Sequence, residues 1–254
     1  VIVQVGNVRH DVRVEAAFSV PRLSFTDNFF CVVQALLPLG IRPTKHTGAF
    51  WDQCLDRVLL EMVDRTDWIL VCDYDSVFEA DTVQRLLGCA MVSGYDAVAP
   101  LQTKRDMGMP MFTPAGHGGH IGVVQLENTW FEATVQPVDT AHFGCTLLRS
   151  EALKRTKTPW FLGKPREDGH WGDAAEGERH RTDPDIHFWR QWKDSGNTLG
   201  VAPQVAIGHA ELMITWPGRD LKPVYQYPSS YWSAGGKRPA EAWGSVEHGE
   251  ASKA

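Results

Sequence analysis

The chain has 254 residues, 43% hydrophobic and 22% charged, with a formal net charge of −6 at pH 7. That length can bury a large core, and those proportions exclude a disordered, collagenous or disulfide-stapled chain. The acidic balance gives no general attraction for nucleic acid, no stretch approaches the apolar length of a membrane span, and no basic segment followed by an apolar run marks a secretory signal.

Ala16 to Val20 reads as a first strand ending at Pro21 and Arg22, followed by a helix from about Asp27 to Leu37 and a Pro-Leu-Gly stop. A second strand is expected over Ile41 to Lys45. Trp51, Leu55, Val58, Leu59 and Met62 then recur at helical spacing, with Asp52, Asp56, Arg57 and Glu61 among the remaining positions, which predicts an amphipathic helix on a sheet. Trp68 to Val71 is a wholly apolar run, the signature of a strand buried on both faces. After it, Val83, Leu86, Leu87, Ala90 and Met91 mark a helix ending at Gly94, and Asp96 to Pro100 a further strand. The order βαβαβαβ predicts an α/β fold with a mainly parallel, Rossmann-like central sheet flanked by helices.

At the tip of the third strand stand Asp73-Tyr74-Asp75. Alternate side chains of an extended backbone point the same way, so Asp73 and Asp75 can converge on one cation, and the C-terminal ends of strands are where open α/β sheets bind ligands. Asp and Ser after a strand are also ordinary turn residues. The apolar strand before the pair and the helix after it favour the functional reading over the turn.

The second half is less regular. Gln102 to His120 is rich in Gly and Pro and suits a mobile loop near a site; Val123 to Gln136 and Thr146 to Arg149 can supply further, antiparallel strands. Gly163 to Arg181 reads as a second loop or lid. Ile186, Trp189 and Trp192 mark a helix for which Asp183 is a natural cap and Pro184 a natural first residue. Val205 to Ile207 is a late strand running into Gly208 and His209. The chain is expected to form one domain, with a regular α/β half at 1–105, a less regular half at 106–216 and a C-terminal extension at 217–254 whose last dozen residues are loosely ordered. Five cysteines, Cys31, Cys54, Cys72, Cys89 and Cys145, lie in apolar segments without CxxC spacing, the pattern of reduced core thiols and a cytoplasmic location. The chain begins at Val, which leaves the completeness of its N-terminus open.

Taken in order over roughly Ala16 to Ala210, these features resemble the GT-A glycosyltransferases of the broad family-2-like group. Asp73-Tyr74-Asp75 matches the DxD motif; His142-Phe143-Gly144-Cys145-Thr146-Leu147-Leu148-Arg149 is similar to the Gly-containing strand beside the acceptor pocket. Asp183-Pro184-Asp185-Ile186-His187-Phe188 is similar to the acidic segment of the family, although Pro184 separates acids that are usually adjacent. Val205 to His209 is similar to a late strand ending in histidine. The resemblance implies transfer of a sugar from a nucleotide-sugar donor, UDP- or GDP-linked, to a hydroxyl on a glycan, a lipid-linked sugar or a small molecule; a modified base in nucleic acid is not favoured. Mn²⁺ or Mg²⁺ is the expected cofactor.

A divalent cation beside the donor phosphates stabilises charge on the departing diphosphate, and Asp73, Asp75 and His209 are the candidate ligands. An inverting transfer needs a base for the acceptor hydroxyl; Asp185 is the first candidate and Asp183 the second. The resemblance places donor contacts at Pro21, Arg22, Asp52 and Arg57, and Lys104 and Arg105 follow the fourth strand where phosphate can be met. A solvated turn or helix face is the stronger competing reading for Pro21, Arg22, Asp52 and Arg57, and surface solvation accounts equally well for Lys104 and Arg105. Trp160, Phe161, Trp171 and Trp189 are candidate sugar platforms with core packing as the alternative. His117 and His120 lack the partners a zinc site requires. Two other functions compete: a haloacid-dehalogenase-like phosphatase with Asp73 as nucleophile, suggested by Asp73 to Val77, and a binding module that kept the fold and lost turnover.

Overall fold

The computed structural model describes residues 1–20, 23–104, 109–116, 126–172 and 181–242. Chain contacts divide it into two compact units, Val1–Lys104 with Met109–Ala210, and Arg105–Gly108 with Glu211–Ala254. The C-terminal stretch of the second unit starts at Glu211, upstream of the expected Pro217. Among the described residues no helix is long and apolar enough to cross a membrane. All five cysteines are free thiols.

The first unit opens with a hairpin of β1 (Ile2–Val5) and β2 (Val8–Asp11), which sequence periodicity does not announce. Then follow β3 (Val14–Ser19), α1 (Thr26–Leu36), β4 (Arg42–His46), α2 (Trp51–Met62), β5 (Trp68–Asp73), the short β6 (Ser76–Val77), α3 (Ala80–Ser93) and β7 (Ala97–Leu101). The alternation read from periodicity is present with its helices near the expected bounds. In α2 the spacing of Leu55, Val58, Leu59 and Met62 buries all four completely, each worth roughly 1.5–3 kcal/mol of apolar burial. Gly94 stops α3 in the left-handed region, at φ 73°, which only glycine adopts without strain.

The second half of the unit adds β8 (Phe112–Pro114), β9 (Gln136–Ala141), β10 (Cys145–Arg149), α4 (Ser150–Arg155), α5 (Pro184–Asp194), β11 (Leu199–Ala206) and β12 (Gly208–His209). Part of the stretch read as loop over Gln102 to His120 is thus the edge strand β8. Strands were expected over Val123 to Gln136; among the described residues of that stretch, Asn128–Glu132 form a 3₁₀ turn and the strand starts at Gln136, while 123–125 lie outside the described residues.

The main sheet has eight strands in the order β4-β3-β5-β10-β7-β11-β9-β8. β3 is parallel to β4 and β5, and β11 to β7, whereas β10 runs antiparallel to both β5 and β7, and β9 antiparallel to both β11 and β8. Most strands therefore share one direction, as expected, and β10, where an antiparallel strand was expected at Thr146 to Arg149, is reversed together with β9, so the sheet is mixed. β10 is inserted between β5 and β7, so these two strands, joined in sequence through α3, do not pair with each other. The consequence is positional. The start of β10 and the ends of β3, β5 and β7 meet at one rim of the sheet.

The second unit contains β13 (Ile214–Pro217) paired antiparallel with β14 (Pro223–Gln226), then α6 (Pro228–Ser233). Gln226 ties it together: Oε1 accepts from Trp216 Nε1 at 2.9 Å and Nε2 donates to the Lys237 carbonyl at 3.0 Å. The last dozen residues of the chain lie outside the described residues.

Candidate functional site

At the rim formed by the ends of β5 and β7 and the start of β10 lies a cleft of about 260 Å³, walled by Asp73, Asp75, Gln102, His142, Gly144 and His209 together with Trp51, Phe143 and Asp185. Four of the residues singled out from sequence, Asp73, Asp75, Asp185 and His209, thus meet in one place. They come from three separated stretches of chain.

Asp73 ends β5 and its Oδ1 accepts the Tyr74 amide at 2.9 Å. Burial, with the charge of Asp75 beside it, pushes its carboxyl up to about 7, against the opposing pull of the Tyr74 amide, Trp51 and His209. The buried Trp51 Nε1–H has no hydrogen-bond partner among the described residues, yet lies near enough to Asp73 to draw that carboxyl down.

Asp75 is almost wholly enclosed, with 2% of its side chain exposed, and His209 Nε2 approaches its Oδ2 at 3.4 Å. The pairing of β6 with β12, which sets His209 opposite Ser76, creates this approach, and the Asp75 carbonyl accepts the Ala210 amide. On the other side of the ring, Nδ1 lies 3.1 Å from the Thr103 carbonyl. A carbonyl only accepts, so Nδ1 carries the hydrogen. Nε2 is the ring nitrogen that faces the Asp75 carboxylate.

His142, just before β10, donates from Nε2 to the Pro100 carbonyl at 2.9 Å and accepts the Gly144 amide on Nδ1 at 3.0 Å. Full burial pushes its imidazole down to about 4, so the ring is neutral. Gln102 spans the cleft floor, donating to the Gly208 carbonyl at 3.2 Å and to Ser76 Oγ at 3.4 Å. Gly144 sits so close to these groups that a Cβ there would stand 2.5 Å from Ser76 Oγ and 2.8 Å from Gln102 Oε1. Gly208, by contrast, is not needed for space: a Cβ there would meet only ordinary contacts, at 3.5 Å and beyond.

Asp185 reaches the cleft from the first turn of α5, which is held beneath it by aromatic packing. Trp189 stacks on Phe143 with ring centres 4.9 Å apart and donates from Nε1 to the Ala141 carbonyl. Burial and the charge of Asp183 raise the Asp185 carboxyl, whose Oδ1 accepts the Ile186 amide at 2.8 Å. Asp183 occupies the expected cap position, but its side chain does not cap the helix; Oδ1 instead accepts from Arg181 Nε at 2.9 Å. The guanidinium so close by competes for that carboxylate.

The remaining candidates are dispersed. Asp52, Arg57 and Lys104 do not line the cleft, and Arg57 is exposed on α2. Pro21, Arg22, Arg105, His117 and His120 lie outside the described residues. Trp160, Phe161 and Trp189 are core side chains, buried because they pack on Phe143 and Phe188 or within their cluster, whereas Trp171 is exposed. The residues that sequence reasoning passed over are Trp51, Gln102 and Asn28. Asn28 carried one legible signal, a polar residue on the apolar stripe that includes Val32, Ala35 and Leu36.

Among the described residues, no three His, Cys, Asp or Glu side chains are grouped so as to hold a metal. The expected triad Asp73, Asp75 and His209 is therefore not assembled as one ligand set; Asp75 and His209 form the close pair. A hard divalent cation held by one or two protein ligands and completed by water and phosphate oxygens is compatible with that pair.

No protein-family model and no curated protein sequence matches the chain. Similar solved structures include the crystal structure of A197 from STIV, with a TM-score of 0.54 and 15% identity, covering 84% of this chain and 94% of that one. The structure of GalNAc-T7 with UDP, GalNAc and Mn2+ matches with a TM-score of 0.49 and 10% identity, covering 78% of this chain and 44% of that one. The chain shares the fold of A197, a mixed α/β sheet flanked by helices. Similarity at this identity speaks to fold and not to chemistry.

Proposed function

We propose that the chain is a metal-dependent glycosyltransferase of GT-A type, which moves a sugar from a nucleotide-sugar donor to a hydroxyl acceptor. The observation that carries the reading is the approach of His209 Nε2 to Asp75 Oδ2 at 3.4 Å, with Nδ1 of the ring engaged by Thr103, at the mouth of a cleft shared with Asp185. The order of the sequence motifs is what makes a sugar nucleotide the favoured ligand.

Asp75 and His209 would hold Mn²⁺ or Mg²⁺, whose bound charge would stabilise the departing diphosphate. Asp73 adds a second carboxylate beside Asp75, available once a cation offsets their repulsion. Asp185 takes the proton from the attacking hydroxyl, and its desolvated carboxyl is a stronger base than an exposed one. Asp183, paired with Arg181, is the weaker candidate for that role. A base facing the acceptor in this way corresponds to an inverting transfer. Trp51 and Phe143 supply apolar cleft wall against which a sugar ring can pack.

The test is release of nucleoside diphosphate from a panel of UDP- and GDP-sugars with Mn²⁺, with and without chelator. Turnover lost on chelation is the expected result. Absence of turnover with every donor, together with unchanged melting on adding nucleotide and metal, would sink the proposal.

A further inference from the structure

We infer that Asn28 is a positioning residue of the cleft, the amide that sets the turn on which Asp73 and Asp75 are carried. Asn28 lies in the first turn of α1 and is completely buried. Its Nδ2 donates to the Asp73 carbonyl at 3.1 Å and to the Ser76 carbonyl at 2.5 Å, spanning the segment that contains Asp75. Because both partners are carbonyls, which only accept, the orientation of the amide follows from the network.

The backbone accounting of this turn shows what the side chain contributes. The Asp73 amide is satisfied by the Gly144 carbonyl across the sheet, and the Asp75 carbonyl by the Ala210 amide. The Asp73 and Ser76 carbonyls, on either side of Asp75, are both bonded by Asn28. Buried carbonyls left unbonded are costly, so one side chain decides where the turn can lie. Ser76 is also the residue that pairs with His209 in the two-stranded β6-β12 ladder. Asn28 therefore acts on the Asp75–His209 approach from the Asp75 side, without touching either side chain.

One turn further along α1, Cys31 bonds both polar groups of Phe78: Sγ donates to its carbonyl at 2.7 Å and accepts its amide at 2.9 Å. This contact secures the chain beyond the turn and provides a control on the same helix face. The choice of asparagine has a cost. Its Oδ1 is buried without a partner among the described residues, and asparagine is a weak helix former. An apolar residue would suit the stripe better if packing were the only demand.

The functional consequence rests on the metal-dependent reading above; the structural one does not. The experiment compares wild type with Asn28→Leu, of similar branching but larger and without a donor, and with Cys31→Val. Backbone hydrogen exchange of the segment 73–78 and Mn²⁺ affinity, from electron paramagnetic resonance of the free ion, are measured on the full chain. Asn28→Leu is expected to speed exchange of 73–78 relative to the rest of α1 and β5, and to weaken Mn²⁺ binding about 10- to 100-fold, the range for groups that orient ligands. Cys31→Val should leave the Mn²⁺ affinity unchanged. Exchange of 73–78 no faster than in wild type, or the same Mn²⁺ loss in Cys31→Val, overturns the role of Asn28. Should Asn28→Leu fail to fold, Asn28→Ala also removes the donor without adding bulk, and wild-type exchange of 73–78 in that folded variant overturns the role equally. Failure of wild type to bind Mn²⁺ would sink the metal-dependent reading, while the exchange comparison still decides on Asn28.

Discussion

Nε2 of His209 stands 3.4 Å from Oδ2 of Asp75 while Nδ1 of the same ring meets the Thr103 carbonyl at 3.1 Å. The backbone thereby orients the imidazole, and the orientation aims the second nitrogen at a carboxylate that is almost without solvent. Outer contacts of this kind are what fix the tautomer and direction of a metal-binding histidine.

From that relationship, Asp75→Ala should abolish Mn²⁺-dependent release of nucleoside diphosphate. His209→Ala should weaken Mn²⁺ binding more than donor binding measured without metal. Calorimetric titration of Mn²⁺ into each variant checks both, and full metal-dependent turnover in Asp75→Ala would remove the assignment.

Asp185 is assigned a proton-transfer role, so Asp185→Asn should slow transfer roughly 100- to 10,000-fold, the usual contribution of a positioned base. Donor binding should be spared, because the amide keeps the shape of the side chain. A stopped assay of sugar transfer, set beside equilibrium donor binding, separates the two effects. Equal loss in Asp183→Asn would transfer the role to the other acid.

Gly144→Ala should destabilise the protein by about 1–3 kcal/mol, the range for overpacking, because neither Ser76 nor Gln102 can retreat without losing its bonds. Gly208→Ala should be tolerated, with nothing nearer to its new Cβ than 3.5 Å. Urea unfolding of both variants is the measurement. Comparable losses would contradict the packing described around Gly144.

His142 sets an acid limit on stability. Its folded imidazole is held at about 4 against an ordinary 6.5, so between those values the unfolded chain binds more protons than the folded one. The contribution is complete above pH 6.5 and is lost as pH falls through about 4, on the order of 3 kcal/mol for a shift of this size. His142→Gln, whose amide can still donate to Pro100 and accept from Gly144, should flatten the melting temperature over this interval. An unchanged slope would place the acid sensitivity elsewhere.

Much of the scaffold was legible because its signals are local. The 3.6-residue recurrence over Trp51 to Met62 can bury its apolar side chains only as a helix, and the unbroken run Trp68 to Val71 suits a strand covered on both faces. The acidic pair at the end of that run, and the acids before Phe188, follow from the same local reading. Periodicity describes how a segment presents its faces, not which segment lies beside it. The composition of Thr146 to Arg149 suggests an antiparallel strand, but nothing near Cys145 announces that β10 lies between β5 and β7, bringing Gly144 against Ser76 and Gln102. The Asn28 contact to Asp73 spans 45 positions, and that from His209 to Thr103 spans 106. The amino-acid order by itself thus determined α1, α2, α3 and α5, the buried strands between them and the presence of two carboxylates at a strand tip. Only tertiary structure decided which histidine faces Asp75 and that Asp52 and Arg57 stand away from the cleft, because each depends on where distant backbone carbonyls, charges and strands come to rest.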